Sequence, residues 1–138
     1  MKLRDNTVLV TGGTRGIGLA IARRLIELGN DVVIVGRSEE SVTAAVETTG
    51  AADGFACPLE DPAARERLAA EVAARHPLLN VLINNAGFQH AMRFTDEAIP
   101  YPRIREEIAV NLTAPIELAA LLLPVLAVQP AAAVVNVS

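Results

Sequence analysis

Short apolar runs alternate with longer stretches of helical periodicity along the whole chain. Val8-Leu9-Val10, Val32-Val33-Ile34-Val35, Val81-Leu82-Ile83 and Val134-Val135 are brief, apolar and mostly β-branched. Runs of this kind predict strands buried on both faces. After the first of them, Leu19, Ile21, Ala22, Leu25, Ile26 and Leu28 recur at helical spacing until Gly29 stops the pattern. Strands are predicted at 6–11, 31–36, 53–57, 79–84 and 132–137, and helices at 16–28, 39–49, 61–75 and 103–127. Asp61-Pro62 marks one helix start, an N-cap followed by proline at the first helical position. A polar, proline-containing loop leads into the last helix. Tyr101, between Pro100 and Pro102, reads as part of that loop. Strand–helix alternation with right-handed crossovers gives an α/β fold with a doubly wound parallel sheet.

Between the first strand and the first helix stands Thr11-Gly12-Gly13-Thr14-Arg15-Gly16-Ile17-Gly18. Strand, glycine-rich turn and helix form the context that a phosphate-binding loop requires. Glycines let the backbone turn tightly and approach an anion closely. The first helical turn then offers unpaired N–H groups and the positive end of its dipole. Two further segments stand out. Asn84-Asn85-Ala86-Gly87 follows an apolar run, and Asn111 lies inside a long helical pattern. Pro115 stands four residues after Asn111. Its ring collides with the Asn111 carbonyl and it offers no N–H, so a bend with a free main-chain oxygen is predicted there.

Composition narrows the choices. The chain has 138 residues, half of them apolar, enough for one domain with a real core. A formal charge of -4 argues against nucleic acid as a partner. Cys57 is the one cysteine, so no internal disulfide forms, and a reducing cytoplasm is the expected setting. Met1 to Asp5 carries no apolar signal segment. The most apolar run, 118–128, is short for a bilayer span and contains Pro124, so no membrane partner is expected. His76 is expected to meet a helix C-terminus, and His90 lies in the loop after Asn84-Asn85-Ala86-Gly87. No cluster with metal-ligand spacing is visible, and no metal is expected.

In order and spacing, the glycine loop, Asn-Asn-Ala-Gly and the helical asparagine resemble the short-chain dehydrogenase/reductase family over nearly the whole chain. The opening residues and Ile26-Glu27-Leu28-Gly29-Asn30 look most like its branch called DltE. The resemblance implies a Rossmann-type sheet of strand order 3-2-1-4-5, with a dinucleotide beyond the ends of strands one and four. It implies cofactor contacts at Gly12, Thr14, Arg15, Gly16, Ile17, Gly18, Arg37, Leu59, Asn85, Ala86 and Gly87. Asn84 and Asn85 can equally tie strand ends together. No acid stands at the tip of strand two, where a free ribose 2′-hydroxyl favours one. Arg37, seconded by Arg15, can pair with a 2′-phosphate, which favours NADP(H) over NAD(H). The other reading of Arg37 is a residue capping a loop in solvent. Pro58 occupies the place where relatives carry an aspartate for the adenine amino group, leaving the Leu59 main chain, Glu60 or Asp61 for that end.

On the chemistry, the resemblance makes Asn111 a catalytic residue whose carbonyl holds a water in a proton relay. The family's tyrosine and lysine are missing, since Tyr101 and Lys2 are the chain's only examples and cannot form Tyr-x-x-x-Lys. Ser138 is a substitute candidate for the catalytic serine. The expectation is the amino-terminal, cofactor-binding half of a larger oxidoreductase acting on a carbonyl or secondary alcohol, inactive alone. The alternatives are a non-catalytic dinucleotide-binding or interaction module and an extended-branch epimerase. An apolar last strand at the sheet edge predicts self-association, as does an apolar helix-four face (Ile108, Leu112, Leu118, Leu121, Leu122, Val125).

Overall fold

The computed structural model describes residues 2–91 and 100–138. The middle of the predicted loop, 92–99, lies outside the described residues. Five strands, β1 (Thr7–Thr11), β2 (Asp31–Gly36), β3 (Asp53–Ala56), β4 (Leu79–Asn84) and β5 (Ala133–Asn136), form one sheet of order β3-β2-β1-β4-β5. Every pairing is parallel. Helices α1 (Gly16–Glu27), α2 (Glu39–Thr49), α3 (Pro62–Arg75), α4 (Tyr101–Ile108) and α5 (Ala114–Ala127) cover it.

The apolar strand runs are explained by the two layers. Successive side chains point to opposite faces. Leu9, Val33, Val35 and Leu82 pack with Leu68 and Val72 of α3 and with Leu118 and Leu122 of α5. Val8, Val10, Val32, Ile34, Val81 and Ile83 form the opposite core with Ala22 of α1 and Ala45 of α2. The β1–β4 register shifts between Thr7 and Val8. There the Asn80 side chain steps in, accepting from Thr7 N at 3.0 Å.

The last helical segment departs from expectation. Tyr101 opens α4 instead of lying in the loop, because proline is tolerated in a first helical turn. At Pro115 the helix does not stop. It widens into a π turn (Ala109–Thr113), in which Ala114 N–H donates to the Ala109 carbonyl, a device that accommodates an insertion within a helix. The helical path therefore runs unbroken from Tyr101 to Ala127, with a stretch of mean hydropathy 1.8, long and apolar enough by length and composition to cross a membrane. The same helix supplies Ala114, Leu118, Leu122 and Leu126 to the core. Leu118 and Leu122 are thus fully buried, and Val125 is partly buried against them, contrary to their expected exposure. They share one face at i, i+4 spacing. The exposed apolar face is Leu112, Ile116 and Leu123, with Ile108 and Leu121 beside it.

Candidate dinucleotide site

The carboxyl ends of β1 and β4 are stitched together at one point. Thr11 Oγ1 accepts from Asn85 N and Ala86 N, both at 3.0 Å. Asn85 Nδ2 donates back to the carbonyls of Thr11 (3.1 Å) and Gly12 (3.3 Å). The structural role of Asn85 is therefore realised. Asn84 ties β4 to β5 through Asn136 Oδ1 at 2.9 Å. Its own Oδ1 is buried with no hydrogen-bond partner among the described residues.

On this stitch the loop is too tight for a side chain at Gly12 and at Gly18. A Cβ on Gly12 would sit 2.8 Å from Ala86 Cα, and one on Gly18 would sit 2.1 Å from the Gly12 carbonyl oxygen. Gly16 meets nothing within 4 Å, yet its φ of +54° places it in the left-handed region, where glycine alone is at ease. Gly36 makes room for Thr14, whose Cγ2 would lie 2.4 Å from an added Cβ. At the start of α1, Arg15 occupies the N-cap in extended conformation without a side-chain cap bond, and the first turn carries no acid. The leading N–H groups of this helix are left to an incoming acceptor.

These elements surround a cleft of about 720 Å³, a size suited to a small-molecule ligand. Gly12, Thr14, Arg15, Gly16, Ile17, Gly18, Arg37, Leu59, Asn85, Ala86 and Gly87 all line it, so every sequence-named cofactor residue meets in one place. The loop fits a dinucleotide diphosphate: main-chain donors at the start of α1, positive charge from Arg15, and glycines at 12, 16 and 18.

Arg37 follows β2 with its side chain 64% exposed, and it is not the cap of the following helix. Ser38 is, accepting from Ser41 N at 3.3 Å. The Arg37 guanidinium lies over the Phe88 ring, 5.4 Å from its centroid, and 3.9 Å from a Glu106 carboxylate oxygen. His90 Nε2 is 3.1 Å from the other Glu106 oxygen, so the histidine borders this rim as a partner of Glu106. His76, at the end of α3, is held instead by Asp53 at 2.8 Å. Glu60 lines the cleft, whereas the Asp61 carboxylate is committed to Ala63 N as the α3 cap. Cys57 forms part of the wall. Burial pushes its thiol up to about 11 against the pull of Arg65 and Arg67. It stays protonated near neutrality and is no nucleophile.

Asn111 stands behind the cleft wall. Its Nδ2 donates to the Phe88 carbonyl (2.7 Å) and its Oδ1 accepts from Phe88 N (3.0 Å). The carboxamide is spent on holding the segment after Gly87. Ser138 follows β5 as an exposed residue and is not among the residues lining the cleft. Phe88, Ser38 and Gly36 went unnamed as site residues in the sequence. The signal for Gly36 is its place at the tip of β2, beside the glycine loop.

The profile of the short chain dehydrogenase family matches residues 6–138. The chain belongs to the short-chain dehydrogenase family. It is 43% identical over its full length to the oxidoreductase DltE of Bacillus subtilis, uncharacterized, and covers 55% of that protein. Among solved structures it resembles a metagenomic short-chain oxidoreductase in complex with NADP, with a TM-score of 0.84 and 34% identity over 99% of this chain and 62% of that one. A 3-oxoacyl (acyl-carrier-protein) reductase from Agrobacterium tumefaciens with NADP bound gives a TM-score of 0.85 and 29% identity over 97% of this chain and 52% of that one. The chain thus spans little more than half the length of these short-chain dehydrogenase relatives.

Proposed function

We propose that the cleft binds a nicotinamide dinucleotide, NADP(H) in preference to NAD(H), and serves an oxidoreductase acting on a carbonyl or secondary alcohol. The observation that carries this reading is the glycine loop, closed to a side chain at Gly12 and Gly18 and set before an uncapped, acid-free N-terminus of α1. In it, the main-chain amides at the start of α1 hold the diphosphate, and the Ala86–Gly87 main chain faces a ribose. Arg37 and Arg15 bring positive charge to the cleft, and β2 ends without a carboxylate. The two relatives described above with NADP bound favour the same cofactor. The bound cofactor supplies or accepts a hydride at nicotinamide C4. Pro115 has no N–H, so the Asn111 carbonyl lacks its i+4 donor and is available to a water. Tyr101 and Lys2 cannot supply the acid–base pair of the family pattern, so these 138 residues alone bind cofactor without turnover.

Calorimetric titration tests the reading. NADPH should bind about tenfold more tightly than NADH, with no carbonyl reduction by the 138-residue chain. Equal affinities would remove the preference, and no binding of either would remove the cofactor. The exposed residues Leu112, Ile116 and Leu123 support self-association through the π turn and α5. A monomeric mass by sedimentation at micromolar concentration would count against it.

A further inference from the structure

We propose that Arg65 and Glu117 are a positioning pair that fixes the base-end wall of the cleft, an assignment resting on the dinucleotide reading above. Arg65 belongs to α3 and is only 1% exposed, so a whole guanidinium is buried. Such a charge is tolerated only when a counter-ion and acceptors meet it. Both are present. Nε and Nη2 donate to Oε2 of Glu117 on α5, the first at 2.8 Å. Nη1 donates to the Leu59 carbonyl.

The third arm distinguishes this pair from an ordinary bridge between helices. Leu59 lines the cleft, flanked by the lining residues Cys57 and Glu60. The Cys57 and Leu59 side chains are buried in the core, and Cys57 N–H donates to the Gly36 carbonyl at 2.8 Å, but the Leu59 carbonyl itself is met by Arg65. Pro58 has no N–H to give, and the turn closes through Asp61 N to the Pro58 carbonyl at 3.0 Å. Arg65 therefore anchors the Leu59 main chain from behind, and Glu117 keeps Arg65 in place. Without the Glu117 charge, the guanidinium is buried with no counter-ion and is driven toward solvent, releasing Leu59. The wall at Gly87 and the glycine loop have their own bonds and do not depend on this anchor.

The test compares two halves of the cofactor on the purified protein: adenosine 2′,5′-bisphosphate and reduced nicotinamide mononucleotide. Glu117→Gln keeps the size and one acceptor oxygen, enough for both Arg65 bonds, and removes the charge. Arg65→Met removes the anchor itself, and Glu117→Gln decides the matter alone where that variant fails to fold. Affinity for the bisphosphate is expected to fall about tenfold in either variant, while the mononucleotide changes by less than about twofold. A purely structural pair would leave the ratio of the two affinities unchanged, and that outcome, or no loss at all, overturns the proposal. Failure of the unmutated protein to bind the bisphosphate would overturn the cofactor reading and this assignment together.

Discussion

Two helices of the same sheet begin in opposite ways. At α3, Asp61 caps the helix by accepting from Ala63 N at 3.0 Å, and proline follows in the first turn, where its missing N–H costs nothing. At α1, the N-cap is Arg15, which makes no cap bond, and no acid stands in the first turn. A capping side chain contributes about 1 kcal/mol, so the fold gives up stability at α1 that it takes at α3. The difference teaches where an anion belongs. The start of α3 is already satisfied from within the chain, whereas the start of α1 lines the cleft with its donors unclaimed.

The largest expected effect comes from closing the α1 loop sterically. In Gly18→Ala the new Cβ would lie 2.1 Å from the Gly12 carbonyl oxygen and 2.4 Å from Asn85 Nδ2. Loop or helix must shift, at a cost of about 3 kcal/mol, and NADPH binding should be lost in titration. Gly16→Ala separates strain from contact, because it meets nothing within 4 Å and suffers only from its φ of +54°. Its cost should be about 1–2 kcal/mol. Equal losses in the two variants would show that crowding is not what shapes the loop.

Next in size is a variant that makes α1 resemble α3. Arg15 already has the extended conformation of a cap (φ -157°, ψ 168°). Arg15→Asp should therefore raise the stability of the ligand-free protein by about 1 kcal/mol in urea unfolding. It should also lower NADPH affinity by roughly a hundredfold, through like-charge repulsion and the loss of a cation. Opposite signs for stability and binding are the signature. Unchanged binding would break the contrast between the helices. Arg37→Ala acts further out, at the rim beside Phe88. It should cost NADPH about tenfold and leave NADH within about twofold, so the ratio of the two affinities reports the 2′-phosphate contact.

How much of this was legible follows from the range of each interaction. The strands were readable because burial on both faces writes continuous apolar runs, as in Val32 to Val35. The glycine loop was readable because its constraints fall on residues next to one another in sequence. The π turn was half readable. Pro115 announces a lost hydrogen bond, but whether a helix kinks or widens depends on what packs against it, and Val110 within the turn and Ala114 and Leu118 after it share one core. Phe88 and Glu106 were not readable as neighbours of Arg37, because that meeting is made by the fold. Arg65 could have been found. It falls on the same helical stripe as Leu68, Ala69 and Val72, where a charged residue signals a buried partner.

The smallest expected effect belongs to the closed helix. Asp61→Ala removes the α3 cap, and with it the more distant charge contact to Arg67 at 3.8 Å. An exposed contact of that length adds little. The loss should be close to the cap alone, about 1 kcal/mol, seen as a fall in Tm of about 4 °C. NADPH affinity should stay within about twofold, because the Asp61 carboxylate is engaged with its own helix while its neighbour Glu60 faces the cleft. Glu60→Gln is the complement, with Tm unchanged and any effect confined to binding. If Asp61→Ala weakened NADPH more than it lowered stability, the carboxylate would be serving ligand and helix at once, and the two helix starts would differ in degree instead of in kind.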